Sequence, residues 1–538
     1  MKKILTTVLS LCAITAMAQR DINFNGDWNL HYPKSSRLHS GQVKSVTLPR
    51  AWNEDEAFRV GIANLPDDTC RYTKRFNAPI TWKGKRIFIE FEGARQAAEV
   101  WLNGQYVGIH QNGVMAFGFD LTPFIRLGQE NYLEVLTDND WNYKEKGVPT
   151  SANATTTKDG NNLPNNTLAP NSYQWNNKNF NMNMGGLVKN VKLHVVDGIY
   201  QTLPLYSNLG TTGTYVYGSD YDIKGKKVTI NIESQVINST NAAKQVALNV
   251  ELLDADGKRV ASFKGKQQTI NAGDTITLTA SRRITNAHFW SWGYGYLYTV
   301  KTSLSGNGVK DSSPVAIRTG FRKTAFKDGK VFLNDRCIMM HGYAQRTSNE
   351  WPAVGIDVPA WLSDYSNDLM VKSGGNLVRW MHVTPSKQDI ESCDRVGLIQ
   401  AMPAGDAEKD VTGRHWEQRK ELMRDAIIYN RNNPSILFYE SGNRAVSQEH
   451  MKEMRAIRDK YDSKGGRAAG SREMLNVDEA EYGGEMLYIN KSAGKPMWTM
   501  EYCRDEGYRM YWDYYSYPFH QHGAGPLYRK ADASVYNR

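Results

Sequence analysis

Several short apolar runs in the C-terminal half of the chain close on polar side chains. NPSILFYESGNR (433–444) runs from a Pro through Ile436, Leu437, Phe438 and Tyr439 into Glu440, Ser441, Gly442, Asn443 and Arg444. NLVRWMH (376–382) carries Arg379 and ends on His382, and GLIQAMP (397–403) leads to Asp406. CIMMHGY (337–343) contains His341, and PMWTMEY (496–502) contains Glu501 and Tyr502. Carboxylates, an amide and imidazoles at the mouths of buried strands are the groups from which proton transfer and nucleophilic attack are built. Arg444 is different, because a guanidinium stays protonated and can bind an anion but cannot give up a proton.

The elements that must hold these groups alternate. Amphipathic stretches at 359–374 and 415–432 separate the apolar runs, and strand–helix alternation implies a parallel sheet. Ionisable residues at the carboxyl ends of such strands match the layout of a TIM (β/α) barrel. RAAGSR (467–472), EMLYIN (485–490) and PMWTMEY serve as strands five to seven, leaving only GPLYRK (525–530) for an eighth. A truncated or irregularly closing barrel is therefore expected, with sheet edges that are an aggregation liability.

Upstream the rhythm is that of β-sandwiches. KRIFIEFEG (85–93), AEVWLNGQYVGIH (98–110) and YLEVLTDN (132–139) are strands, with Asn103-Gly104 as a hairpin turn. A polar insertion from Trp141 to Met184 interrupts them. KKVTINIESQV (226–236), QVALNVELLDADGKRVASF (245–263) and TITLTASRRI (275–284) form a second, immunoglobulin-like module with a turn at Asp256-Gly257. Trp290 and Trp292 read as core and interdomain packing. The expected division is 1–18 signal peptide, 19–197 and 198–319 sandwiches, and 320–538 barrel.

A chain of 538 residues with 40% hydrophobic and 23% charged residues is a globular protein of several domains. Lys2 and Lys3, an apolar core from Ile4 to Thr15 and Ala16-Met17-Ala18 make a secretory signal, too short to span a membrane. A periplasmic or extracellular location is expected. Cys70, Cys337, Cys393 and Cys503 are widely spaced and read as buried free thiols, although an oxidising compartment leaves a disulfide open. The formal charge of +10 is spread along the chain, which offers no nucleic-acid footprint.

The ordered motifs GDWNL, LPRAWNEDEAF (48–58), VWLNGQYVG (100–108), FGFDLT (117–122), GFRK (320–323), LVRWMHVTP (377–385), NPSILFYESGN and KPMWTMEY resemble those of glycoside hydrolase family 2, the bacterial β-galactosidase-like enzymes. The resemblance spans nearly the whole chain after the signal. It implies a jelly-roll sugar-binding domain, an immunoglobulin-like domain and a TIM barrel. It also implies hydrolysis of terminal β-linked sugars with retention, which needs a nucleophilic carboxylate and an acid/base carboxyl about 5–5.5 Å apart.

By that resemblance Glu501 is the nucleophile, the alternative being an ion-paired surface carboxylate. The family's strand-four motif ends in Asn-Glu, whose Glu is the proton donor; here Asn443 is followed by Arg444. Glu440 is the preferred replacement, with Asp406 or Glu408 in PAGDAEKD as another, and an impaired site in which Arg444 binds ligand as a third. Strand alternation sets Glu440 roughly 13 Å below Arg444, at ~3.3 Å per residue, unless the strand ends at Ser441-Gly442. The other role open to Glu440 is a barrel-floor carboxylate paired with Arg379.

His382 and Arg379 shape the site or, for His382, sit satisfied in the core. Asn443 bonds the sugar 2-hydroxyl, and Tyr502 contacts substrate. The aromatic tail from Trp498 to Tyr536 stacks on sugars or packs on the barrel. PAGDAEKD lacks the family's metal-linked pattern, so neither metal nor cofactor is expected. The expected partner is an oligosaccharide or polysaccharide, with no membrane span and self-association left open. The expected activity is that of an exo-β-galactosidase. A β-glucuronidase or β-mannosidase specificity and a carbohydrate-binding relic are the alternatives.

Overall fold

The computed structural model describes residues 21–56, 65–111, 113, 115–140, 143–147, 183–309, 313–345, 358–404, 410–485 and 494–500. The N-terminal sandwich packs two antiparallel sheets. One has six strands, with Glu130–Asp138 between Thr69–Asn77 and Ala97–Leu102, and the other four, including Arg86–Phe91 and Val191–Val196. Glu130–Asp138 buries every second residue, so Leu133 and Val135 join Trp28, Tyr72, Phe91 and Phe117 in the core. The turn joining Ala97–Leu102 to Gln105–His110 has φ of 56° at Asn103 and 80° at Gly104, the left-handed pair that a two-residue hairpin needs.

The second sandwich pairs a four-stranded sheet built on Lys227–Asn238 with a five-stranded sheet built on Lys244–Leu253. Trp290 and Trp292 lie at its edge and reach beyond it. The buried Trp290 ring donates to the Asp394 carbonyl at 2.8 Å, and Trp292 to the Gly375 carbonyl at 3.0 Å.

A parallel sheet follows, of seven strands among the described residues: β1 (Gly342–Gln345), β2 (Leu377–Trp380), β3 (Ile399–Pro403), β4 (Ile436–Glu440), β5 (Ala468–Arg472), β6 (Tyr482–Glu485) and β7 (Met497–Thr499). Each pairs with the next in sequence, so the described residues form a curled seven-stranded part of a TIM barrel. Strands β2 to β5 are buried at every residue, as a sheet covered on both faces requires. Helices α1 (Ala360–Lys372), α2 (Lys387–Val396), α3 (Gly413–Asn430) and α4 (Gln448–Asp462) provide the cover. Ser386 caps α2 by accepting from the Asp389 N–H, and Ser447 caps α4 by accepting from the His450 N–H. No helix of the described residues is long and apolar enough to cross a membrane.

Three expectations change. CIMMHGY is not one strand: Arg336–Ile338 closes a small antiparallel sheet with Thr324–Lys327 and Lys330–Leu333, and β1 starts at Gly342. Exposed His341 thus lies at the amino end of β1, edge-on to Trp292 at 5.9 Å, and away from the carboxyl ends. The sixth strand is Tyr482–Glu485 where 485–490 was expected. Cys337 is exposed, while Cys70 and Cys393 are buried, and all three are free thiols.

Candidate active site

The chain arrives at the carboxyl ends of β2 and β4 with three buried polar side chains in contact. Glu440 is the last residue of β4, so the strand does end before Ser441-Gly442. Arg379, on β2, reaches across β3 to it. Its Nε donates to Glu440 Oε2 at 2.8 Å, and its Nη2 to Oε1 at 2.6 Å. The same Nη2 donates to Asn443 Oδ1 at 2.9 Å. Arg379 and Glu440 are 2% and 0% exposed. Side chains from alternate strands meeting in one layer is the packing rule of barrel interiors.

This is a matched charge pair. Both Glu440 oxygens accept from one guanidinium, in the bidentate geometry that gives the strongest ion-pair hydrogen bonds. The geometry is that of the floor carboxylate, and Asn443 is held at the edge of the same fork. Burial, and then the Glu440 charge, push the Tyr482 phenol well above its ordinary range against the opposing Arg379 charge. The Tyr482 hydroxyl donates to the Tyr439 carbonyl at 3.1 Å. Its ring stacks on Trp498 at 4.8 Å, so Trp498, the start of the aromatic tail, is a packing residue.

His382 is buried just beyond β2, after a cis Met381–His382 peptide, and Thr384 ties that segment to the Pro403 carbonyl at 2.9 Å. Arg444 is half-buried, and Ser471 Oγ donates to its carbonyl at 2.7 Å. Two further buried guanidiniums border the site and were not singled out from the sequence. Arg472 ends β5, and Arg419 from α3 approaches the Ser441 carbonyl at 3.5 Å. The signal for Arg472 was present, since it closes RAAGSR as Glu440 closes its own run; nothing marks Arg419 within a helix rich in charges.

The segment after β3 is anchored on both sides. The Ala404 N–H donates to the Glu440 carbonyl at 3.0 Å. Asp410 accepts from the Ser447 N–H at 2.8 Å and lies 2.7 Å from His450 Nδ1, whose ring stacks on Trp416 at 3.8 Å. Asp406, Glu408, Glu501, Tyr502, Cys503 and the insertion's 148–182 lie outside the described residues. Among the described residues no group of three or more His, Cys, Asp or Glu is arranged to hold a metal ion.

The described chain is thus a multidomain protein in which a curled parallel sheet with charged groups at its strand ends follows two β-sandwiches. A model of the family 2 glycosyl hydrolase sugar-binding domain matches residues 42–148, and a second model, described as glycosyl hydrolases family 2, matches 214–322. A β-glucuronidase of Formosa agariphila is 32% identical over 528 residues, 93% of this chain and 50% of the relative. The β-galactosidase BoGH2A of Bacteroides ovatus is 25% identical over 450 residues, 79% of this chain and 46% of the relative. A solved β-glucuronidase structure of the same family superposes with a TM-score of 0.78 at 31% identity, covering 90% of this chain and 50% of that one. The chain belongs to glycoside hydrolase family 2. It spans about half the length of these relatives.

Proposed function

We propose that the protein is an exo-acting, retaining β-glycosidase and that its sugar is a terminal β-glucuronide. The observation that carries the reading is the buried Arg379–Glu440–Asn443 cluster at the carboxyl ends of β2 and β4 in a family 2 chain. The sugar rests on two β-glucuronidases, the Formosa relative and the solved structure, and on Arg444, whose cation suits a uronate carboxylate. A β-galactoside is the second reading, favoured by the Bacteroides ovatus relative.

In this reading Glu501 attacks the anomeric carbon and forms a glycosyl-enzyme while a carboxylic acid protonates the departing oxygen. The same group, now a base, takes a proton from the water that releases the sugar. Asn443 holds the 2-hydroxyl. The bidentate hold on Glu440 favours a positioning role for it, with Asp406 as the donor, a carboxyl two residues after Ala404, whose N–H donates to the Glu440 carbonyl. The signal at Met1 to Ala18 would deliver the enzyme to the periplasm or beyond, which cell fractionation checks.

Nitrophenyl β-glucuronide and β-galactoside, assayed with wild type and Glu501→Gln, test the activity and rank the sugars. Asp406→Asn should slow alkyl glycosides far more than nitrophenyl ones, because only the former need a proton on the leaving oxygen. If Glu440→Gln shows that split instead, and azide rescues it, Glu440 is the donor. Arg444 also supports a non-catalytic reading, which gains if no β-glycoside is turned over while sugar binding persists.

A further inference from the structure

At the opposite end of the sheet a cavity of about 150 Å³ opens where the second sandwich meets the amino ends of β4 and β5. Five of its lining residues are cationic, Arg322, Lys323, Arg431, Lys464 and Arg467, and none is an Asp or Glu. Arg467 is answered by buried Asp462, which accepts at 2.7 Å, and Lys323 by exposed Asp335 at 2.6 Å. The remaining three have no ion-pair partner among the described residues.

Buried Arg322 donates only to carbonyls, those of Pro434, Gly465 at 3.0 Å and Ile436 at 2.7 Å. Burial first, and then the neighbouring Arg467 charge, bring its guanidinium down to about 10. Arg431 donates to the carbonyls of Tyr461 at 2.8 Å and Thr212 at 2.6 Å and lies over the Tyr215 ring. Its buried Nε donates to nothing among the described residues. Asp462 and Glu233 act on Arg431 only at a distance. Three buried guanidiniums thus share one buried carboxylate, in surroundings where an uncompensated charge is costly. Lys464 adds an exposed cation at the rim.

We propose that this cavity binds a small oxyanion, a sulfate or phosphate group, that neutralises the excess charge and locks the second sandwich to the barrel. Planar guanidiniums are suited to such oxygens. The space exceeds the ~30 Å³ share of one water, enough for an ion of a few heavy atoms. The source is a free inorganic ion or a sulfate ester of a polysaccharide.

Isothermal titration calorimetry of the full chain with inorganic sulfate, inorganic phosphate and a sugar sulfate monoester, at fixed ionic strength in chloride, tests it. A single saturable site for the inorganic ions is expected. Lys464→Glu, at an exposed position, should weaken it at least tenfold, and Lys258→Glu, on an exposed turn outside the cavity lining, should leave it unchanged. Equal affinity for the ester assigns the site to a sulfated polysaccharide, and binding of the free ions alone assigns it to a structural ion; both uphold the site. No binding by the wild type, or the same constant in Lys464→Glu as in Lys258→Glu, overturns it.

Discussion

The two ends of the parallel sheet treat buried arginine in opposite ways. At the carboxyl end Arg379 meets the Glu440 carboxylate in a bidentate fork, with Asn443 fixed beside it. At the amino end Arg322 and Arg431 rest on carbonyls, and only Arg467 has a carboxylate. The first arrangement sets its cation against a carboxylate and presents a fixed polar floor. The second carries more charge than its partners cancel, so it is completed by something from outside. Matched charge gives position, and surplus charge gives affinity.

The largest test of that contrast separates chemistry from charge. Glu501→Gln should lower turnover of the preferred nitrophenyl β-glycoside by on the order of 10⁴-fold, as loss of a nucleophile does. Lys464→Glu at the other end should leave kcat within a factor of about two. Equal loss in both would dissolve the distinction.

Next comes the fork itself. Arg379→Met alone leaves Glu440 charged and buried, and should cost about 3–5 kcal/mol in denaturant unfolding of the barrel transition. Arg379→Met with Glu440→Leu should recover most of it. Additive losses would mean that the two do not act as a unit.

A smaller effect is expected at Asp462, which accepts from Tyr439 and Tyr215 at 2.7 Å each and joins barrel to sandwich. Tyr439→Phe should cost about 1.5–3 kcal/mol, the worth of a hydrogen bond to a charged group. A loss confined to the sandwich transition would show that the joint is not shared.

The smallest concerns the other joint, where Tyr429 from α3 donates to Glu90 at 2.7 Å and His194 lies 2.7 Å from both Glu90 and Asp21. Burial works against a charged His194, but Asp21 and Glu90 outweigh it and raise its pKa above the ordinary 6.5. Burial likewise opposes the Glu90 charge, yet His194 and Lys192 hold that carboxyl down at about 2. The stabilisation from His194 is therefore full below pH 6.5 and lost as pH rises through its higher folded value. The Tm advantage of wild type over His194→Gln, about 2–4 °C per kcal/mol, should be largest below pH 6.5 and shrink as pH rises beyond it. A constant gap would remove His194 from the joint's charge balance.

Much of the frame was readable from residue order. Alternation along 132–138 and the Asn103-Gly104 turn are local, so their strands fell where the pattern put them. The runs that became β2 to β4 were legible because a sheet covered on both faces is largely apolar. Reading failed where burial and polarity part company. Helix α2 buries Asp389, Ser392 and Asp394 beside Ile390 and Cys393, so polar groups share its covered face. Asp394, pushed up to about 6 by burial, accepts from Ser435 Nα and caps the amino end of β4. At 336–342 one apolar run served two sheets, which periodicity could not divide.

The sequence by itself determined the order of modules, the family, the polar residues at the strand ends and the placing of Arg444 after Asn443. Tertiary structure decided what those residues do to one another. Arg379 and Glu440 stand 61 positions apart and on strands that are not neighbours, and only curling of the sheet brings β2 and β4 into one layer. The surplus of guanidinium at the other end belongs to no single stretch of chain either. Residue types fix which charges exist, but whether a buried charge is balanced depends on which distant groups folding places within a few ångströms of it.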